Sequence, residues 1–242
     1  MLYGIFSDIH SNLAAFEAVL ESMRAFPLER RICLGDLVGY GTDVNECVEL
    51  AKENTDVCLI GNHDSVALRW ESNLAFNPYA KRAIEWTQEH LSESSQNYMK
   101  TLHYMHEEND ICFVHASPVS PAEWIYITDL EDALDAFDHF STHYCFVGHT
   151  HSPVIVAMHD EEIPKIVEEN SYTRLPGERL LVNVGSVGQP RDRDPRACWC
   201  LFDSEKGSVE LIRVPYDIHL TQERMRAAGS PAFLIDRLEV GR

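Results

Sequence analysis

The sequence predicts an α/β protein in which two sheets pack face to face with helices outside, and three features lead there. Short apolar runs recur at residues 2–6, 31–34, 56–60, 111–114 and 144–147, each closed by a polar residue or a glycine. Apolar residues at helical spacing lie between them. From about residue 153 the texture turns to paired apolar runs, at 153–158, 180–184, 197–202 and 208–214. Alternating strand and helix signals followed by strand-rich sequence are satisfied when two sheets share an interior and the helices cover their outer faces. With 242 residues and 45% hydrophobic composition, the chain can bury one sizeable core, so a single domain over residues 1–242 is expected.

Each element has a local reason. Leu13, Phe16, Leu20 and Met23 recur with the period of a helix, as do Leu130, Ala133, Leu134 and Phe137 behind a Thr128-to-Glu131 capping box. Residues 65–108 interrupt the alternation with Trp70, Phe76, Tyr79, Trp86, Tyr98 and Tyr104, and with Ala80, Ala83, Ile84 and Thr87 at helical spacing. This stretch reads as a helical cap, most of whose aromatics belong to helix-to-sheet packing rather than to ligand contact. Asp203-Ser204-Glu205-Lys206-Gly207 reads as a hairpin turn between the last two runs, and Tyr216 to Arg242 as terminal helices. No internal repeat or low-complexity segment is present.

Composition narrows the function classes. The start, MLYGIFSD, lacks the basic segment and long apolar stretch of a secretion signal, and no later run approaches membrane-spanning length, so a soluble cytoplasmic protein is expected. Four of the seven cysteines, Cys33, Cys58, Cys112 and Cys145, sit inside apolar runs as small packing residues, and Cys198 and Cys200 flank Trp199 on one face of a strand. With 39 acidic against 20 basic side chains, a formal charge of -19 repels a nucleic-acid backbone and disfavours duplex binding. Small anionic substrates remain open if metal ions reverse the local field.

The metal-capable residues follow the strands. Asp8 and His10 come after the first run, Asp36 after the second, Asn62 and His63 after the third, His115 after the fourth, and His149 and His151 after the fifth. Loops at the carboxyl edge of an open sheet converge while the strands hold them rigid, so five segments aim at one place. Gly35, Gly61 and Gly148 precede Asp36, Asn62 and His149, as tight exits from strands require where a β-carbon would crowd the backbone or an ion. In an extended segment, Asp8 and His10 would point to one side and reach one ion, and so would His149 and His151. Imidazole with carboxylate suits manganese, iron or zinc better than magnesium or calcium, and seven ligands call for two ions, leaving a local charge of about +2. A lone Asp-x-His or Gly-His-x-His is weak evidence; the joint occurrence of all five segments in register carries the metal reading. His90, His103, His106, His139, His143, His159 and His219 lack that register and read as surface or packing residues.

These residues resemble the calcineurin-like metallophosphoesterases, whose five blocks appear here as Asp8-Ile9-His10, Gly35-Asp36, Gly61-Asn62-His63-Asp64, Val114-His115 and Gly148-His149-Thr150-His151. GDLVGYGTDVNE at 35–46, HASPVSP at 115–121, NVGSVGQPRD at 183–192 and the LIDRLEVGR ending resemble the bacterial branch described as phosphodiesterase or diadenosine-tetraphosphatase-like. The resemblance implies a four-layer αββα sandwich of two mixed β-sheets flanked by helices. It also implies two divalent or mixed-valence transition-metal ions, with Asp8, His10, Asp36 and His151 on one, Asp36, Asn62, His115 and His149 on the other, and Asp36 bridging. Where the serine/threonine protein phosphatases of the family carry Asp-Arg-Gly after Gly-Asp, this chain has Gly39-Tyr40-Gly41, so the phosphate-gripping arginine of those enzymes is absent.

The expected activity is hydrolysis of phosphodiester or phosphoanhydride bonds in small nucleotide-type substrates, by a hydroxide shared between two cations about 3.5 to 4 Å apart. Asn62 also faces substrate in this reading. His63 is placed to protonate the departing alkoxide, and Asp64 to orient its ring. Arg191 is the candidate phosphate contact, with a salt bridge to Asp192 or Asp194 as the competing role. Two alternatives stand beside this reading: a serine/threonine phosphoprotein phosphatase, which the missing arginine weakens, and a non-catalytic scaffold on the same fold, which would have no use for seven ligands and His63.

Overall fold

The computed structural model describes residues 1–73, 76–160 and 162–242; residues 74 and 75 of the expected cap lie outside the described residues. Two mixed six-stranded sheets stack face to face. The first contains β1 (Leu2–Phe6), β2 (Arg30–Cys33), β3 (Val57–Cys58), β9 (Ser171–Thr173), β11 (Ala197–Asp203) and β12 (Ser208–Val214), in the order β3-β2-β1-β11-β12-β9. The second contains β4 (Met105–Glu108), β5 (Ile111–Val114), β6 (Tyr144–Val147), β7 (Val154–His159), β8 (Lys165–Val167) and β10 (Glu178–Asn183), in the order β4-β5-β6-β10-β7-β8. The β1–β2 and β2–β3 pairs are parallel, as are β5–β6 and β6–β10, which directs the carboxyl ends of the first five expected strands to one rim.

Strand periodicity separates the layers. Tyr3, Ile5, Ile32, Phe113, Phe146, Leu180, Cys200 and Phe202 fill the space between the sheets. Their neighbours Phe6, Cys33, Ala197 and Trp199 pack against α1 (Leu13–Met23) and α2 (Val44–Asn54) on one outer face. Cys112, Val114, Cys145, Met158 and Leu181 pack against α6 (Leu130–Phe137) on the other. Strands buried on both faces need continuous apolar runs, which is why these segments do not alternate with polar residues. A fully buried side chain such as Phe113 or Phe146 contributes about 2 to 3 kcal/mol of transfer free energy. The inter-sheet layer therefore holds the site's two walls together.

The structure differs from expectation in identifiable places. The third run forms only two strand residues; beyond them Leu59 N still donates to Cys33 O at 2.9 Å, and Ile60 N turns to His103 O at 3.0 Å. The stretch 65–108 holds the end of α3 (Asn62–Ala67), then α4 (Pro78–His90) and α5 (Glu93–Met99), but its last residues form β4 at the edge of the second sheet. In α4 the buried positions are Ala80, Ala83, Ile84 and Thr87, the residues whose spacing marked the helix. The α6 cap is Asp129, not Thr128: Asp129 Oδ1 accepts from Glu131 N and Asp132 N, both at 2.9 Å, while Thr128 bonds the Asp132 carboxylate. The short edge strands β8 and β9 carry mixed, largely exposed residues and leave no apolar signal. The C-terminal stretch forms α7 (Ile218–Ala227), α8 (Ala232–Asp236) and a 3-10 turn at Arg237–Glu239.

Candidate metal centre

Backbone pairing continues past the strand ends and builds the site. Asp8 N donates to Gly35 O, His10 N to Asp36 O and Ser11 N to Leu37 O, each at 3.0 Å, so the loops after β1 and β2 run side by side. Gly148 N donates to His115 O at 2.8 Å and joins the loops after β5 and β6 in the same way. A β-carbon at Gly61 would strike the Asp36 carboxylate, and one at Gly148 would meet Asp8 Oδ2 at 2.5 Å, so the absence of side chains there lets the carboxylates approach.

Asp8, His10, Asp36, His115, His149 and His151 are each at most 4% exposed, and Asn62 is 8% exposed. They form two groups that share one residue. Asp8, His10, Asp36 and His151 present ligand atoms within 4.8 Å of one another, and Asp36, His115 and His149 do likewise. In the first group His151 Nε2 lies 3.2 Å from Asp8 Oδ1, and His10 Nε2 lies 3.5 Å from Asp36 Oδ2. In the second His115 Nε2 lies 3.5 Å from Asp36 Oδ2 and 3.3 Å from Asn62 Oδ1.

The convergence does not come from extended segments. Asp8, His10, Asp36, His149 and His151 all have φ between 50° and 65°. That left-handed conformation is uncommon for residues other than glycine and concentrates at functional sites. It also separates His149 from His151: they join different groups instead of reaching one ion as an extended pair would.

Hydrogen bonds orient every ring. The Nδ1 atoms of His10, His115 and His151 face the carbonyl oxygens of Val38, Leu34 and Gln189 at 3.0, 3.2 and 2.6 Å. A carbonyl requires a donor, so Nδ1 carries the proton and each Nε2 turns a lone pair to the centre. His149 is turned the other way, with Nε2 3.0 Å from Trp124 O, which leaves Nδ1 free. The carboxylates are split in the same manner. Asp8 Oδ2 accepts from His149 N at 3.0 Å and Asp36 Oδ1 from His63 N at 2.9 Å, while Asp8 Oδ1 and Asp36 Oδ2 are buried with no donor. His10 Nε2 and His151 Nε2 lie 3.0 Å apart beside them. Acceptors aimed at one another in a dry interior are stable only around a cation, and nitrogen with oxygen suits a transition metal.

The protonation tendencies agree for His149 and His151 and set His115 apart. Burial works against the charge of Asp8 and Asp36, but the surrounding histidines, led by His151 for Asp8 and by His115 for Asp36, hold both carboxyls well below the usual range. Against burial, Asp36 and then Asp8 lift His115 to about 9, so at neutral pH its Nε2 too holds a proton toward Asp36, one that a bound cation would displace. Burial lowers His149 to about 4 and His151 to about 3, so both stay neutral as ligands must.

The other expected site residues fall at the rim. The His63 ring lies 4.8 Å from His10, 4.5 Å from Tyr40 and 4.6 Å from Phe76, centroid to centroid. Its Nδ1 is buried with no hydrogen-bond partner. Asp64 does not orient this ring. Its Oδ1 accepts from Val38 N and its Oδ2 from Gly61 N, both at 3.1 Å, so it braces the loops that carry Asp36 and Asn62. Burial, then the charge of Asp36, raises Asp64 to about 7. Arg191 pairs with neither Asp192 nor Asp194, which Arg213 and Arg196 engage. Its Nη2 donates instead to Tyr40 Oη at 3.1 Å and Gln189 Oε1 at 3.0 Å.

Trp124 and Tyr126 escaped the sequence reading. Trp124 supplies the carbonyl that orients His149, and the Tyr126 ring stacks on His149 at 3.9 Å while remaining 50% exposed. Their segment carries no strand or metal-ligand signal; the only cue is a pair of aromatics close after His115.

Residues 1–207 match the calcineurin-like phosphoesterase superfamily domain. The chain is 37% identical over its full length to the uncharacterized protein MJ0912 of Methanocaldococcus jannaschii, covering 98% of it. A crystal structure of a metallophosphoesterase from Sphaerobacter thermophilus superposes with a TM-score of 0.88 at 38% identity, over 100% of this chain and 99% of that one. The hypothetical protein PH1004 from Pyrococcus horikoshii OT3 shares the fold, with a TM-score of 0.81 at 19% identity over 100% and 98% of the two chains.

Proposed function

Because the chain belongs to the calcineurin-like phosphoesterase superfamily, we propose that it is a two-metal hydrolase of phosphodiester or phosphoanhydride bonds in small nucleotide-type substrates. Asp8, His10, Asp36 and His151 would hold one ion, Asp36, Asn62, His115 and His149 the other. The observation that carries this reading is the shared Asp36, whose Oδ2 faces both His10 and His115 at 3.5 Å and has no donor of its own. When bound, two ions of manganese, iron or zinc supply Lewis acidity to a water nucleophile and to the phosphate oxygens.

The chain's own side chains do the rest. Burial holds His63 well below its usual pKa, so in the resting protein its ring is a neutral N–H donor. A phosphate seated against it brings negative charge, raises its basicity and allows it to pass a proton to the departing oxygen. Arg191, held by Tyr40 and Gln189, grips a phosphate oxygen, and Asn62 adds its amide. Asp64 positions the two loops without touching substrate. The helices α3 to α5 act as a cap, and Phe76, whose ring lies tilted 4.6 Å from that of His63, shields it from water. β11, from the last fifth of the chain, pairs with β1, which supports one domain over 1–242. Seven free cysteines, six of them buried, suit a reducing compartment, and the cytoplasm is the proposed location. Among the described residues no helix is long and apolar enough to cross a membrane.

Turnover of a phosphomonoester, a phosphodiester, a dinucleoside tetraphosphate and a phosphopeptide, compared with manganese, iron and zinc, tests the proposal. The diester or the tetraphosphate should be preferred, and a dominant phosphopeptide activity would overturn the ranking. His63→Ala should lower kcat by roughly 10² to 10⁴ with metal content intact; equal loss of metal would make His63 a ligand or a prop.

A further inference from the structure

Two cavities that border the metal centre differ greatly in size. One, bounded by His10, Tyr40, Gly188 and Gln189, measures about 10 Å³, room for about one water molecule. The other measures about 480 Å³, within the range of small-molecule sites, and opens between α6 and the β7–β8 edge of the second sheet. A substrate whose phosphate lies at the metals has to place its organic group somewhere, and only the larger space can take one.

The larger cavity is continuous with the centre. Thr150, between His149 and His151, forms part of its wall, and so does Tyr126, whose ring stacks on His149 with the centroids 3.9 Å apart. Tyr126 is nonetheless 50% exposed, so a ring covered by His149 on one face still offers surface to the cavity. The rest of the wall is aliphatic: Leu130 and Ala133 of α6, Val154 and Val156 of β7, and Ile166 of β8. The polar side chains along it are engaged within the fold. Thr128 Oγ1 donates to Asp132 Oδ2 at 2.8 Å, Asp129 Oδ1 caps α6, and Thr150 Oγ1 accepts from Asn183 Nδ2 at 2.9 Å and from Ser152 N at 3.3 Å. Such a wall selects by stacking and apolar contact, and an aromatic platform beside aliphatic side chains suits a flat ring.

We propose that this cavity is a base pocket, in which Tyr126 stacks on the heteroaromatic ring of a nucleoside against the aliphatic wall formed by Leu130, Val154 and Ile166. The inference rests on the proposed function and deepens it, because it names the part of the substrate that carries recognition: a purine or pyrimidine ring joined to the phosphate through its sugar. With Thr128, Asp129 and Thr150 already engaged, stacking sets the affinity and the pocket discriminates little between bases. Tyr126 binds the ring and does not touch the bond that breaks.

Adenosine carries the ring without a phosphate, so its binding requires neither turnover nor a metal. Adenosine and ribose are titrated by calorimetry into the metal-free full chain. The wild type should bind adenosine at least about tenfold more tightly than ribose. Tyr126→Ala and Tyr126→Leu should each weaken adenosine by about 5- to 150-fold, whereas Tyr126→Phe should keep it. Ile166→Ser, at a residue 55% exposed on the wall and away from His149, should weaken it severalfold without disturbing the centre. Tyr79→Ala, at an exposed aromatic stacked on Phe233, is the control and should keep the wild-type affinity. Adenosine bound no more tightly than ribose, an affinity unmoved in Tyr126→Ala, or an equal loss in Tyr79→Ala would overturn the pocket. Affinity kept in Tyr126→Leu would also overturn it, since the cavity would then select apolar bulk and not a ring. Hydrolysis of bis(p-nitrophenyl) phosphate by the manganese-loaded wild type reports on the proposed function alone, so the two ideas fail separately.

Discussion

The two halves of the metal centre are built differently. Around Asp8, His10 and His151, the rings bond to carbonyls of Val38 and Gln189, and paired loops leave the residues at most 2% exposed. Around His115 and His149, one ring depends on the carbonyl of Trp124, which sits at φ 57° in the long segment between β5 and α6, and on an exposed Tyr126. Asn62, a neutral amide, stands where the first half has the carboxylate of Asp8. One half has two carboxylates and a rigid frame, the other a shared carboxylate and a loop. If both groups take ions, as proposed, the one at His115 and His149 should bind more weakly and exchange faster, because fewer charges and a looser frame hold it.

The largest effect should come from the residue both halves share. Asp36→Ala removes the oxygen that faces His10 and His115, and is expected to abolish retention of both ions and to lower kcat/KM by at least about 10³. Metal analysis alongside turnover checks this; a variant that keeps one ion per chain would show that the halves are independent. Next in size is the contrast within Gly-His-Thr-His. His149→Ala should lose the weaker ion and leave about one per chain, whereas His151→Ala should weaken the tighter one by roughly 10- to 100-fold or more. Identical metal loss in both variants would erase the asymmetry.

Much of this site was legible before the structure. The candidate ligand residues stand out because each follows an apolar run, and strands buried on both faces advertise their ends clearly. What was hidden rests on backbone. The left-handed conformations of Asp8, His10, Asp36, His149 and His151 leave no mark in residue type, since glycine, the usual sign, is not used there. The carbonyls of Leu34, Val38, Trp124 and Gln189 orient the rings, and any residue has a carbonyl. Asp64 is the instructive error. Proximity in sequence suggested that it holds His63, but in a helical turn the neighbouring side chain points elsewhere, and Asp64 bonds the loops instead.

A smaller effect concerns the metal-free protein and pH. His149 and His151 are lowered to about 4 and about 3, so the stability they contribute is present above their unfolded value near 6.5 and is lost as pH falls through that window. His115, raised to about 9, contributes stability that is full below about 6.5 and lost as pH rises through 9. Asp64, raised to about 7, also favours the acid side and loses its contribution between about 4 and 7. Below pH 6.5 the three lowered histidines, His63 with His149 and His151, outweigh Asp64, and above it Asp64 up to about 7 and His115 up to about 9 work against the fold, so the chelator-treated chain should be most stable near pH 6.5. Stability should fall more steeply on the acid side than on the alkaline side, each net proton taken up or lost costing on the order of 1.4 kcal/mol per pH unit. Denaturant unfolding across pH 4 to 9 checks this. Stability that rises steadily to pH 9 would mean that His115 is not held by Asp36.

Anomalous diffraction from crystals of the manganese-loaded protein tests the shared carboxylate most directly. Two peaks are expected about 3.5 to 4 Å apart, one against Asp8, His10 and His151, the other against Asn62, His115 and His149, with Asp36 between them and the second peak lower in occupancy. A single peak, or two peaks of which neither touches Asp36, would contradict it.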